Sequence, residues 1–119
     1  MSTTARARAL LVLFAGAGAL HLVRPRTYDW MVPPELGRPR PWVTGTGVAE
    51  LGTAALLAVP ATRRAGGWAA AVLLTAFVPA HLHSLRVLRD RPVPLAVAVA
   101  RLPLQVPMLQ AALRVARAR

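Results

Sequence analysis

Hydrophobic and polar positions in this chain are sorted into blocks rather than interleaved. Four apolar runs span about 9–23 ("ALLVLFAGAGALHLV"), 42–59, 66–85 ("GGWAAAVLLTAFVPAHLHSL") and 95–113 ("LAVAVARLPLQVPMLQAAL"). Each approaches the ~20 residues an α-helix needs to cross a bilayer, the first being the shortest. A soluble helix alternates an apolar stripe with a polar face, and these runs do not. The pattern therefore predicts an all-α, single-domain chain (1–119): a four-helix transmembrane bundle, multi-pass in a cell membrane. Its helices are expected over about 6–23, 42–60, 66–85 and 94–114. The first run also has the basic start and small-residue end of a signal peptide. It continues through His21 into a long polar loop, which favours a retained helix.

The linkers are unequal. Segment 24–41, "RPRTYDWMVPPELGRPRP", is rich in proline and too interrupted for a helix. It is expected to run extended along the membrane surface, with Tyr28, Trp30 and Trp42 at the lipid–water boundary. The second linker, "ATRRAG", reads as a tight hairpin, and the third, "RVLRDRPVP", is short and basic.

Composition sharpens this picture. The chain is 55% hydrophobic and carries a net charge of +11. All fifteen basic residues are arginine, and nearly all lie at the ends of the apolar runs. No basic face is interleaved with aromatics, so the charge points to anionic lipid headgroups and not to nucleic acid. There is no cysteine, which removes disulfides, thiolate-bound metal and thiol redox chemistry. Across four spans the arginines outside the helices divide seven to seven between the two faces, so the positive-inside rule leaves the orientation open.

Inside the spans sit His21, Glu50, His81, His83, Arg101 and Gln105. A charged group at the bilayer centre costs at least ~2.5–3.5 kcal/mol on insertion scales, so such groups usually face a partner. At ~1.5 Å rise per residue, Glu50 lies about 12 Å into its helix and Arg101 about 10 Å into the fourth. With His21 and His81 they fall in one membrane half. Thr46, Glu50 and Thr53 share a helix face, as do Arg101, Gln105 and Met108. His21, Glu50, His81, Arg101 and Gln105 are thus expected to form a buried polar cluster. Its simplest internal contact is a Glu50–Arg101 pair, since each charge is costly alone. His83, two residues from His81, points elsewhere. Pro79, Pro103 and Pro107 should bend their helices and free carbonyls beside the cluster.

These residues together resemble the DoxX-like family of small four-helix membrane proteins, over about 14–110. The resemblance rests on His21 with Pro25 and Tyr28, "VPP" at 32–34, "GVAE" at 47–50, Arg63 or Arg64, Pro79–Ala80, and "RLPLQ" at 101–105. Relatives commonly carry asparagine where this chain has His81, and an aromatic where it has Leu22. The resemblance implies a multi-pass protein of the bacterial inner membrane, associated with redox enzymes and linked in some relatives to quinones. On that reading a quinone-like ligand accepts hydrogen bonds from His21, Arg101 or Gln105, and Glu50 relays a proton; a redox-enzyme partner is implied too. Three other readings stay open: a small proton-coupled transporter, histidine-bound metal or haem, and a non-catalytic assembly protein whose polar residues only latch the helices.

Overall fold

The computed structural model describes residues 1–119 as helices and turns with no strand. Ser2 caps the first helix, α1 (Thr3–Val23): its Oγ accepts the Ala5 N–H at 3.0 Å, satisfying one of the orphan donors of the first turn. The linker that follows is not extended. It folds into a four-residue helix, α2 (Arg26–Asp29), and a 3-10 turn (Pro34–Leu36). Its prolines sit where their missing N–H is harmless, at the N-cap of α2 and in the first turn of the 3-10 segment. Gly37, at φ 85, then reverses the chain.

Pro39 opens α3 (Pro39–Ala58), and a 3-10 turn at Pro60–Thr62 leads into α4 (Arg63–Ala76). The third run breaks at Phe77, two residues before Pro79, and resumes as α5 (Val78–Val87). The fourth run comprises α6 (Pro92–Arg101), a 3-10 turn around Pro103 (Leu102–Leu104) and α7 (Gln105–Arg117). Pro79 and Pro103 thus act as expected from their lost donors, whereas Pro107 sits in the first turn of α7 and does not break it.

Packing is pairwise: α1 lies along α3, α3 along α4, and α7 returns against both α4 and α1. The core joins Leu10 and Phe14 of α1, Leu57 of α3, Leu74 of α4 and Val115 of α7, with Ala70 and Ala112 completely buried between them. Glycines set the close approaches. A Cβ on Gly67 would stand 2.5 Å from the Ala116 backbone nitrogen, and one on Gly66 would stand 2.8 Å from that of Leu57. Gly16, Gly45 and Gly52 face open space.

Only 21 of the 119 residues are buried, and the outward surface is strongly apolar, with Val12, Val48, Val72, Val97 and Val106 all more than half exposed. Three helical stretches are long and apolar enough to cross a membrane: Thr3–Val23, Pro60–Val87 and Pro92–Arg117. The helix bearing Glu50, Pro39–Ala58, is not among them. It carries Glu50, three threonines and three glycines, which dilute its valines and leucines.

Candidate functional site

Glu50 lies in the middle of α3 and is 1% exposed. It faces α1 because two glycines let the helices nearly touch. A Cβ on Gly18 would meet the Gly47 carbonyl oxygen at 2.9 Å and the Glu50 Cβ at 3.1 Å. One on Gly47 would meet the His21 Cβ at 2.7 Å. This contact brings His21, in the last turn of α1, against Glu50: Nε2 stands 3.4 Å from Oε1. That is a charge-contact distance, beyond the 2.7–3.2 Å of a good N–H···O bond. The Glu50 Oε1 is fully buried and accepts no hydrogen bond.

The other face of the imidazole is fixed. Nδ1 lies 2.6 Å from the Ala17 carbonyl oxygen. A carbonyl only accepts, so Nδ1 carries the proton and Nε2 is the nitrogen turned to Glu50. The Tyr28 ring stacks on His21 with centroids 3.8 Å apart and an interplanar angle of 17°. Phe77, at the break between α4 and α5, lies 6.4 Å away at 22°. Tyr28, one of the aromatics expected at the lipid boundary, covers the histidine. Burial, and then the Glu50 charge, push its phenol above the ordinary tyrosine range.

Beside this group opens a cavity of about 600 Å³, 15 of whose 23 lining residues are hydrophobic. Its polar lining includes His21 and Glu50, together with His81 and Arg101. Residues of the 24–41 linker form one wall, among them Tyr28, Met31, Val32 and Leu36. Three contacts hold that wall. Arg40 grips Asp29 through two bonds, Nη2 to Oδ2 at 2.9 Å and Nε to Oδ1 at 3.4 Å. Trp42 Nε1 donates to the Leu36 carbonyl at 2.9 Å, and Trp30 Nε1 to that of Thr27 at 2.7 Å.

Of the five residues expected to cluster, four line this cavity: His21, Glu50, His81 and Arg101. Gln105 stands outside it. The expected Glu50–Arg101 ion pair does not form. Arg101 Nη1 donates instead to Gln105 Oε1 at 2.9 Å, one helical turn away across the 3-10 segment. Gln105 Nε2 in turn donates to the Leu74 carbonyl at 2.8 Å. Leu74 sits just before the break at Phe77, where the helical ladder is interrupted. The glutamine therefore satisfies a carbonyl that the kink leaves free. Thr46 and Thr53 give nothing to Glu50, because their hydroxyls bond the carbonyls of Trp42 and Ala49 in their own helix. His83 does not line the cavity. No group of three or more histidine or acidic side chains is arranged to hold a metal ion.

A family model for a domain of unknown function, DUF8561, matches residues 10–116. The chain belongs to the DUF8561 family. No curated protein and no solved structure matches it. All five polar residues and the whole cavity wall fall within the DUF8561 match. The chemistry of this DUF8561 chain therefore has to be read from the cavity. It offers a flat stacked imidazole, an unpartnered carboxylate, a guanidinium with spare donors and a second imidazole, His81, within a mostly apolar lining.

Proposed function

We propose that this protein is a four-helix integral membrane protein whose cavity holds an apolar ligand of the quinone class, as an accessory or subunit of a membrane redox system. One observation carries the reading: a buried carboxylate without a hydrogen-bond partner lines a largely apolar cavity large enough for a small molecule. Leaving such a group unsatisfied costs ~1–3 kcal/mol or more, a cost that a ligand removes. Intramembrane carboxylates commonly mark ligand or proton paths. The exposed apolar surface supports the membrane setting. In Pro92–Arg117 none of the most apolar stretch is buried within the chain, so lipid or a partner must cover it. Completing the bundle requires α3 to span as well, with Glu50 shielded from lipid by α1. The resemblance to DoxX-like proteins, through His21, "GVAE" and "RLPLQ", supports the redox setting.

The test is purification in mild detergent followed by mass spectrometry of bound lipids, quinones and proteins. A quinone-class molecule is expected with the wild type and at reduced occupancy with Glu50→Gln. Protein that retains no such molecule, from cells whose respiratory flux is unchanged by its deletion, contradicts the reading. A second reading is a purely structural membrane protein. It is favoured by the Arg101–Gln105–Leu74 chain, which ties the fourth helical run to the kink of the third. On that reading Glu50→Gln lowers the yield of folded protein and changes no binding.

A further inference from the structure

The polar groups around the cavity are not equivalent, and their hydrogen-bonding states restrict what can fill it. His21 Nδ1 is committed as a donor to the Ala17 carbonyl. A neutral imidazole so fixed presents a bare lone pair at Nε2. At 3.4 Å it then faces Glu50 Oε1, which has no partner of its own. With Glu50 ionised and His21 neutral, this contact sets two acceptors together and lacks one donor. The threonines nearest Glu50 on α3 spend their hydroxyls on backbone carbonyls and cannot supply it.

Across the same cavity the balance is reversed. Arg101 carries five N–H donors and no acceptor. One nitrogen, Nη1, is bound to Gln105, leaving donors for an acceptor in the cavity. In that ionisation state one anion, Glu50, and one cation, Arg101, line the interior together with His81. Glu35 also borders the cavity but lies exposed to water at its rim, where its charge is screened. A cationic ligand would satisfy Glu50 but stand in the same low-dielectric space as Arg101. An anionic one would reverse the problem.

We infer that, given the ligand-holding reading above, the cavity selects neutral apolar molecules bearing a hydroxyl, whose O–H donates to Glu50 while a second oxygen accepts from Arg101. Within the quinone class this is the reduced, dihydroxy form. The oxidised form has carbonyl oxygens for Arg101 and nothing for Glu50. The site is thereby built to hold the quinol in preference to the quinone.

Three probes with the same ten-carbon tail separate the contributions: 2-decyl-1,4-benzoquinol kept anaerobic, its quinone, and its dimethyl ether. All three can accept from Arg101; only the quinol can donate. Titration calorimetry on the full chain in detergent is expected to rank the quinol about ten-fold or more tighter than either, the scale of a hydrogen bond to a charged acceptor. Glu50→Gln, which keeps the shape but removes the charge, should compress that preference to roughly three-fold or less. Equal binding of the three probes by the wild type overturns the inference and leaves the ligand-holding reading standing. No binding by any of them overturns both. The wild-type comparison needs no variant to fold, and a preference that survives unchanged in a folded Glu50→Gln protein also overturns the assignment.

Discussion

His21 is held from two directions, by the Ala17 carbonyl on Nδ1 and the Tyr28 ring over its face, with Glu50 Oε1 3.4 Å from Nε2. The stacking contact can be read directly, because Tyr28 is the chain's one tyrosine. Its phenol is shifted upward first by burial and then by the Glu50 charge. Ultraviolet titration of the phenolate should place it above the free tyrosine value of about 10. Glu50→Gln should bring it part of the way down, since removing a nearby negative charge makes a second one easier to form. A titration unchanged by Glu50→Gln would show that the phenol does not sense the carboxylate. At this scale the sequence was partly legible. The cost of a charge in an apolar run singled out Glu50, and helical rise grouped it with His21, His81 and Arg101. The partner was not legible, because depth gives height and not azimuth. Gln105, one turn from Arg101, satisfied the guanidinium locally, and the Glu50–Arg101 pair that charge alone suggested did not form.

Elements succeed or fail here on glycine and proline. The apolar runs marked where helices lie, and Pro79 and Pro103 marked where they break. The 24–41 linker is not legible from its prolines, which suggest helix breakers but occupy capping and first-turn positions that tolerate them. Its docking over the cavity depends on tertiary contacts, Arg40 to Asp29 and Trp42 to Leu36, that no local pattern encodes. Glycines looked alike in the sequence and differ sharply in the fold. Gly47→Ala places a methyl 2.7 Å from the His21 Cβ, an atom that cannot rotate away. It should destabilise the protein by about 1–3 kcal/mol and separate α1 from α3. Gly52→Ala meets open space and should be neutral, or stabilising by up to ~1 kcal/mol. Thermal unfolding in detergent compares the two. Equal melting temperatures would contradict the close α1–α3 contact on which the site depends.

For the molecule as a whole, glycines and alanines mark the closest helix contacts around a small aliphatic core, while many large aliphatics face outward. Such packing is what helices in a lipid setting need, where close approach matters more than hydrophobic burial. The one helix too polar to count as a span by composition, α3, is the one that supplies Glu50 to the cavity and lies along both α1 and α4. Its polarity is therefore turned inward. The central claim is that a ligand sits in the space between the 24–36 linker, Glu50 and Arg101. The direct measurement is photolabelling in native membranes with an alkyl phenol carrying a diazirine on its tail, followed by peptide mass spectrometry. Labels are expected on cavity residues such as Leu13, Met31 and Phe77, and are lost when excess 2-decyl-1,4-benzoquinol is present. Labels confined to the outward valines, Val72, Val97 and Val106, and insensitive to that competitor, would contradict the claim.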